Sequence, residues 1–355
     1  MIPVITCCST DEVLRSSVTG GLLLDLSGAV VVRHDIDAAA GTLRRVVSDA
    51  TGILEDRIQD LAHTCLGCAL REDIVPALRE VAFRRPSAIV LALPVTAEPV
   101  PVLRALVELQ DEGMVSVGAV VTSFQAEDAP WDLCGDDLLS DRGLALSSDD
   151  ERAMGEVLTR QIEGADVVVL DSPLDELGEA LVDHLTPPGI ALMRLHEVDA
   201  VALLQPRSRE EVLRRGDPLA VEVSHAPERE GVWTVELESW RPFHPDRLMR
   251  NLETLGSVPG RSRGVFWLPT RPNAVCQWDG TGGQLSIGEL STWSDAGESA
   301  RTRIVVTGID GTPDEIAETF AATLLTDSEL AGGLGAWAGR ADGFDPWLGE
   351  QRGAA

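Results

Sequence analysis

Two cysteines separated by two residues, Cys65 and Cys68, are the side chains in this sequence best suited to chemistry. This C-x-x-C spacing is typical of a metal site or of a redox pair. Thiolates bind zinc at about 2.3 Å, and a structural zinc site takes four ligands. His63 lies two residues before Cys65, and His34 ends a predicted strand. We therefore interpret these two cysteines and two histidines as the candidate ligands of a zinc site.

Each candidate ligand also has a purely structural interpretation. The two cysteines fit as small apolar residues, because free cysteine is among the most buried residue types. His34 and His63 fit as surface histidines or as supports for the ligands, and Asp35 and Asp37 are alternative ligands. A large chain predicted to lie in the cytosol does not predict a disulfide framework. The remaining cysteines are interpreted as buried side chains, with a redox or metal role as the alternative for the first two: Cys7, Cys8, Cys134 and Cys276.

The charge of the chain is one-sided. Its 355 residues include 58 acidic and 29 basic residues, which gives a net charge of -29. Such a surface disfavours direct binding to nucleic acid, whose affinity comes mostly from cations on phosphates. It favours a basic protein partner. No apolar run long enough to span a membrane and no signal-peptide pattern is visible, so we expect a cytoplasmic protein.

The first two hundred residues alternate short apolar runs with helical patterns, which predicts a doubly wound parallel sheet. A chain of this length favours two domains. The acidic stretch Ala126–Ser148 is interpreted as a loop or lid. The predicted strands are Pro3–Cys8, Ala29–Arg33, Ala88–Leu93, Val115–Thr122, Asp166–Leu170 and Gly189–Leu195. The predicted helices are Asp73–Phe83, Val100–Leu109, Ala153–Ile162 and Leu174–Leu185.

A change of texture after Gly231 predicts a second, smaller α+β domain. We place the first domain at residues 1–205, a linker at 206–230 and the second domain at 231–345. The predicted strands of the second domain are Val232–Ser239, Gly264–Leu268, Val275–Trp278, Gln284–Ile287 and Arg303–Gly308. Its predicted helices are Pro245–Leu255 and Asp314–Leu324.

Four ordered blocks in the second half carry a family resemblance. The block R-P-F-H-P-D-R-L at 241–248 resembles the entry to the C-terminal domain of the CobW-type GTPases and zinc metallochaperones. The later blocks follow in the family's order: R-G-V-F-W-L at 263–268 with R-P at 271–272, G-G-Q-L-S at 282–286, and Ile304–Asp310 with L-T-D-S-E at 325–329. In the first half, C-L-G-C at 65–68, followed by Arg71 and Asp73, resembles the family's metal loop with its middle cysteine replaced by glycine.

The nucleotide motifs that this resemblance implies are missing. Where the family carries a Gly-rich loop ending in Gly-Lys-Thr, this chain has Ser-Thr-Asp-Glu at 9–12, and the whole sequence contains no lysine. A P-loop needs that lysine and free backbone N–H groups to hold phosphates. Ala92 replaces a magnesium-binding acid, Pro94-Val95 replaces a switch, and the guanine-reading carboxylate is absent from 171–174. The resemblance therefore implies a degenerate P-loop NTPase-like domain that neither binds nor hydrolyses GTP.

Two classes of function remain open. One is a zinc metallochaperone that uses Cys65 and Cys68 without nucleotide control. The other is a non-enzymatic adaptor of the zinc-starvation response. An actinobacterial branch of the family has the same eroded loop, and this chain is similar to a mycobacterial member that recruits a hibernation protein to ribosomes. That resemblance implies a basic partner, either a hibernation factor or a ribosomal protein, which suits an acidic chain. A GTP-binding protein with an atypical site is a further alternative.

Overall fold

The computed structural model describes residues 1–256 and 258–351, which divide into two compact units. The first unit comprises residues 1–132, 137–178 and 186–216, and the second comprises residues 133–136, 179–185 and 217 onward. The division after Gly216 falls inside the segment 206–230 predicted as a linker. That segment contains a short helix, α8 (Arg209–Arg214), and a 3-10 turn at Pro218–Ala220.

An eight-stranded sheet forms the centre of the first unit, in the order β4-β3-β2-β5-β1-β6-β7-β8. Six of its strands are parallel. The doubly wound α/β fold predicted from the sequence is confirmed. The strands are β1 (Ile2–Ser9), β2 (Val30–Asp37), β3 (Thr42–Asp49), β4 (Gly52–Asp60), β5 (Ile89–Ala92), β6 (Val115–Phe124), β7 (Val167–Leu170) and β8 (Ala191–Arg194).

The helices of this part of the chain connect those strands. A helical run starts at Leu66 and passes from α2 (Leu66–Ala69) through a π-helical turn (Leu70–Ile74) into α3 (Val75–Phe83). It therefore begins earlier than the helix predicted at Asp73. The others are α1 (Glu12–Asp25), α4 (Pro99–Asp111), α5 (Ala129–Cys134), α6 (Met154–Glu163) and α7 (Glu176–Leu185).

The main departure from the predicted fold is an antiparallel hairpin at one side of the sheet. β2 continues to Asp37, four residues beyond its predicted end at Arg33, and pairs with β3, which pairs in turn with β4. These strands carry charged residues at many positions. An antiparallel strand with a solvated face needs no continuous apolar run, unlike a buried parallel strand. The apolar runs used to find strands therefore do not identify this hairpin.

Central strand β1 shows how the core of the first unit is built. Successive side chains of a strand point to opposite faces. Val4 and Cys8 pack into one apolar cluster with helices α3 and α4, whereas Ile5 and Cys7 pack into a second cluster with α1. The first two cysteines of the chain are therefore core side chains, as one of their two interpretations held.

The second unit contains a five-stranded antiparallel sheet in the order β12-β11-β10-β13-β9, which agrees with the predicted α+β class. Helices α9 (Pro245–Gly256) and α11 (Pro313–Thr323) add apolar side chains to its core. The strands are β9 (Val232–Ser239), β10 (Gly260–Phe266), β11 (Ala274–Thr281), β12 (Gln284–Thr292) and β13 (Thr302–Ile309). The described part of this unit also contains the short helices α10 (Trp293–Ala296), α12 (Asp327–Leu330) and α13 (Asp345–Leu348).

Candidate functional site

The turn between β1 and α1 lies at the carboxyl end of the parallel strands, where open α/β sheets bind ligands. Only Thr10 and Asp11 separate the strand from the helix. Asp11 is the N-cap of α1, and its carboxylate accepts the backbone N–H of Leu14 at 2.6 Å. The N–H of Asp11 donates to the hydroxyl of Ser9 at 3.1 Å. The backbone N–H groups of Asp11 and Leu14 thus donate to side chains of the protein. In a phosphate-binding loop such N–H groups are free to donate to the ligand.

The segment after β5 packs directly against this turn. The backbone N–H of Thr96 donates to the carbonyl of Ser9 at 2.9 Å. Thr96 is fully buried and has a φ of 66°, in the left-handed region that β-branched residues rarely adopt. The side chain of Gln161 donates to the carbonyl of Ala97 at 2.9 Å. These contacts connect three elements across the position where the family resemblance implies a phosphate loop.

A buried arginine connects β2 with the residue that follows β5. Arg15 of α1 donates to the carbonyl of His34 at 3.2 Å, to the carbonyl of Leu93 at 2.7 Å and to the carboxylate of Asp35 at 2.5 Å. Arg33 lies 3.0 Å from the other oxygen of the same carboxylate. Asp35, an alternative metal ligand in the sequence, is therefore held between two guanidinium groups. The sequence contains a signal for Arg15, because it shares a helical face with the buried Val18 and Leu22.

A cleft of about 790 Å³ opens beside this turn within the first unit. Its carboxylates outnumber its guanidinium groups, and Arg142 is paired with Asp132 at 2.6 Å. An acidic lining repels the phosphates of a nucleotide. The charged residues of the lining are Asp11, Glu12, Arg15, Arg33, Asp35, Asp37, Arg44, Asp128, Asp132 and Arg142.

The two cysteines of the C-x-x-C motif lie together at the start of the helical run. Cys65 is exposed and is the N-cap of α2, where its Sγ accepts the backbone N–H of Cys68 at 3.4 Å. Cys68 is buried, and the guanidinium of Arg71 donates to its Sγ at 3.4 Å. The hydrogen bond to the Cys65 thiol, followed by burial, raises the pKa of Cys68 above its ordinary value. The motif therefore pairs an accessible thiol with a covered one.

The two histidines predicted as ligands do not join these cysteines. His34 is fully buried on β2, and its Nε2 lies 3.0 Å from Oδ1 of Asp73. Burial lowers the pKa of His34, so the neutral ring is favoured and donates to Asp73. His63 is exposed. Its contact with the motif is through the backbone, where its carbonyl accepts the N–H of Cys65 at 2.9 Å. Asp37 is exposed and accepts the N–H of Ala40 at 2.9 Å.

The four-ligand cluster interpreted from the sequence is thus not assembled in this structure. Across residues 1–256 and 258–351, no three His, Cys, Asp or Glu side chains converge as metal ligands. Two of the four predicted ligands are adjacent, and a pair of sulfurs is a donor set that suits zinc. His34 is separated from them because its ring is fully buried and pairs with Asp73, further along the helical run that the cysteines begin. Zinc binding at Cys65 and Cys68 stays a prediction.

A buried ion-pair network behind the motif includes residues that the sequence analysis did not single out. Arg45 of β3 lies 3.2 Å from Oδ2 of Asp73 and 2.5 Å from the carboxylate of Glu55. One carboxylate oxygen of Asp73 therefore accepts a hydrogen bond from His34, and the other accepts one from Arg45. It belongs to the helical run that begins at Cys65, so the network holds this run against β2 and β3.

The other four cysteines differ from Cys65 in their surroundings. Burial raises the pKa of Cys7, Cys134 and Cys276 to about 12, and raises that of Cys8 well above its ordinary value. Thiols buried in this way react poorly with external reagents, because the thiolate is the nucleophile and the metal ligand. Cys65 is accordingly the most accessible sulfur among these six side chains.

Comparison with known proteins places the second unit in a defined class. Residues 232–324 match the cobalamin synthesis protein cobW C-terminal domain. This match confirms the C-terminal domain predicted from the four sequence blocks. No helix in the described part of the chain is both long and apolar enough to cross a membrane.

Several individual proteins are similar to the chain. A zinc chaperone of Mycobacterium tuberculosis is 27% identical over 388 residues, which covers 95% of this chain and 90% of that protein. The zinc-regulated GTPase metalloprotein activator 1 of Dictyostelium discoideum is 21% identical over 264 residues, 67% of this chain and 55% of its own length. The domain match and these two relatives support a CobW-type family for the chain. The Zn(II)-bound YjiA GTPase of E. coli has 16% identity, covers 91% of this chain and 98% of its own, and gives a TM-score of 0.38.

Proposed function

We propose that this chain is a CobW-type protein of zinc homeostasis that handles zinc at Cys65 and Cys68 without binding or hydrolysing a nucleotide. The observation that carries the proposal is the contrast between two places in the first unit. The turn after β1 is closed by the chain's own groups, whereas the C-x-x-C motif keeps one thiol exposed beside a second.

The closed turn supports the loss of nucleotide binding. Asp11 takes the position at the start of α1 where a bound phosphate would accept hydrogen bonds, and it brings a negative charge there. A nucleotide would have to displace this carboxylate and the Thr96 contact to Ser9, with no lysine to attract its phosphates. Calorimetry with magnesium and GTP is expected to give no binding heat, and a micromolar dissociation constant would contradict this part of the proposal.

The thiol pair supports a role in zinc handling, with zinc as cargo. Sulfur ligands suit zinc, and Cys65 is reachable from solvent. Because two protein sulfurs supply half of a tetrahedral site, the remaining positions are left for water, for His63 or for a receiving protein. Exposure of one ligand favours transfer of the metal, since an incoming thiolate or imidazole can reach it directly. The names of the mycobacterial and Dictyostelium relatives agree with this role.

Competition for zinc with a chromophoric chelator tests the site. The unmodified chain is expected to take up one equivalent, and Cys65→Ser and Cys68→Ser are each expected to lose it. Cys134→Ser is the matched control, because it removes one thiol that lies outside the motif and has a raised pKa. Uptake by Cys65→Ser that equals that of the control would exclude the motif as the zinc site.

The net charge of -29 favours a second candidate function, an adaptor that recruits a basic hibernation factor or ribosomal protein during zinc starvation. Complementary charge accelerates association and makes it sensitive to salt. Pull-downs from cells grown with and without zinc separate the two candidates. Salt-sensitive recovery of ribosomal or hibernation proteins only under zinc limitation would favour the adaptor. Recovery of zinc-dependent enzymes, lost in the Cys65→Ser/Cys68→Ser variant, would favour the chaperone.

A further inference from the structure

We propose that Cys65 and Cys68 also form a thiol–disulfide exchange site, in which Cys65 attacks a low-molecular-weight disulfide and Cys68 resolves the product. The two residues have the unequal exposure that such a site needs. Cys65 is open to solvent, so an external disulfide reaches its sulfur, whereas Cys68 is buried behind it.

The two cysteines are neighbours at the first turn of one helix. Cys65 caps the helix that contains Cys68, and the N–H of Cys68 donates to the Cys65 sulfur at 3.4 Å. Side chains three residues apart on a helix have about 5–6 Å between their Cβ atoms, and a disulfide takes about 3.5–4.5 Å. Gly67 lies between the two cysteines and adds no side chain to the turn. A bond between the two sulfurs therefore needs only a local adjustment of the first helical turn.

The surroundings of Cys68 also suit a resolving thiol. The hydrogen bond to the Cys65 thiol and burial raise the pKa of Cys68, and the guanidinium of Arg71, which donates to the Cys68 sulfur at 3.4 Å, acts against that rise. The attack by Cys68 is intramolecular, on a sulfur at the start of its own helix. Cys7, Cys8 and Cys276 are buried away from solvent, and Cys134 is half-buried with its pKa raised to about 12 by burial, so these four compete poorly with Cys65 for an external disulfide. Burial thus directs the exchange to one pair.

The chemistry balances with the external disulfide as the only oxidant. In the first step the Cys65 thiolate attacks one sulfur, the external S–S bond breaks, and one small thiolate leaves. In the second step Cys68 gives up its proton and attacks the Cys65 sulfur, and the second small thiolate leaves. The protein dithiol loses two electrons, and the external disulfide becomes two thiols that carry the two protons lost by the protein.

This exchange has a consequence for zinc, and that consequence alone rests on the proposed function. The disulfide consumes both thiolates that would ligate the metal. Bound zinc in turn covers the Cys65 sulfur that must attack. The zinc-bound state and the disulfide state of the motif are therefore mutually exclusive. Bound zinc would slow disulfide formation, and the disulfide would prevent zinc binding.

Intact-mass measurements on the metal-free chain with oxidised glutathione test the exchange. The unmodified chain is expected to lose two hydrogen atoms and to retain no glutathione. Cys68→Ser is expected to trap a stable glutathione adduct at Cys65, and Cys65→Ser is expected to give neither product. Serine is a favoured N-cap residue, so Cys65→Ser keeps the helix start intact. Cys134→Ser serves as the control and is expected to react like the unmodified chain.

Three results would overturn the exchange site: a glutathione adduct that persists on the unmodified chain, no reaction of that chain, or reaction of Cys65→Ser at the unmodified rate. The first two use no variant, so they are informative even if a substituted chain fails to fold. A parallel series with preloaded zinc separates this proposal from the zinc proposal. Equal disulfide formation with and without zinc would leave the exchange site standing and would contradict zinc binding at these cysteines.

Discussion

Arg44 and Arg45 are neighbours on β3, yet their guanidinium groups lie on opposite faces of the sheet and in opposite environments. Arg44 pairs with Asp56 at 2.7 Å, and both side chains are largely exposed. Arg45 pairs with Asp73 at 3.2 Å, and both side chains are buried. Alternation along the strand produces this difference, so two adjacent arginines of β3 provide a matched comparison of an exposed and a buried arginine–aspartate pair.

We expect Asp73→Asn to destabilise the chain by about 2–3 kcal/mol, because it leaves the buried Arg45 without one of its charged partners. Asp56→Asn removes the equivalent charge from the exposed pair and is expected to change the stability by less than about 0.5 kcal/mol. Urea unfolding of both variants measures the difference. Equal effects of the two substitutions would show that the buried network does not hold the helical run in place.

Asp11→Ala is expected to lower the free energy of unfolding by about 1 kcal/mol, because it removes the N-cap of α1. Asp25→Ala at the last position of the same helix is the control, since an acidic residue there is not stabilised by the helix dipole. Thermal unfolding of the two variants provides the comparison. A gain of GTP binding by Asp11→Ala would instead identify the carboxylate as the principal barrier to nucleotide.

Glu329 is expected to make the stability depend on acid. Hydrogen bonds from Arg247, at 2.7 and 2.8 Å, lower the pKa of Glu329 from 4.5 to about 2. A depressed carboxyl pKa stabilises the folded state above pH 4.5, and this contribution is lost as the pH falls toward 2. His244 lies 3.7 Å from the same carboxylate. A positive charge on His244 would therefore lower the pKa of Glu329, as Arg247 does.

Glu329→Gln tests this dependence, since glutamine retains the capping box with Thr326 but carries no charge. The variant is expected to be less stable than the unmodified chain above pH 4.5, and the difference should narrow toward pH 2. Glu318→Gln, an exposed substitution on α11, is the control. A stability difference that is constant across this range would assign the effect of Glu329 to something other than its charge.

In this chain trypsin can cleave only after arginine, because the sequence has no lysine. Limited digestion is expected to cut first at the arginines between residues 207 and 229. Residues 221–228 have no regular secondary structure, and the two compact units divide at 216. Irregular exposed backbone is the usual site of nicking. Arg142, whose guanidinium pairs with Asp132 and Asp137, should be cleaved later. First cleavage after Arg142 would contradict the expected order.

The sequence predicts the position of a strand well where the residues of that strand are mostly apolar and therefore buried. β1 and β6 are continuous apolar runs, so their positions were predicted to within two residues at each end. The apolar pattern does not predict the hairpin β3–β4, because Arg44 and Arg45 interrupt it. Arg44 finds its partner across the hairpin on β4, and Arg45 finds its partner in the helical run. Such pairing depends on tertiary structure, which no spacing rule within one segment encodes.

The candidate site divides in the same way. Cys65 and Cys68 are close because Cys65 caps the first turn of the helix that contains Cys68. The sequence predicts His34 beside them, because it places His34 at the end of a strand that converges with the motif. In the structure β2 continues past His34, and the ring turns into the core to meet Asp73. The convergence of strand ends predicts which residues lie at the same edge of the sheet. The alternation of side chains along the longer strand decides which of them point toward the motif.

The outer position of β4 has a consequence for how the chain behaves in concentrated solution. Ile53 and Ile58 are exposed on this edge strand, beside Asp56 and Asp60. An outer strand is a template on which another copy can add, and charged residues along it act as gatekeepers. Here the repulsion between strongly negative copies reinforces those gatekeepers. Solubility should therefore be an electrostatic property of this protein, and high salt or acid should favour edge-to-edge aggregation that begins at this strand.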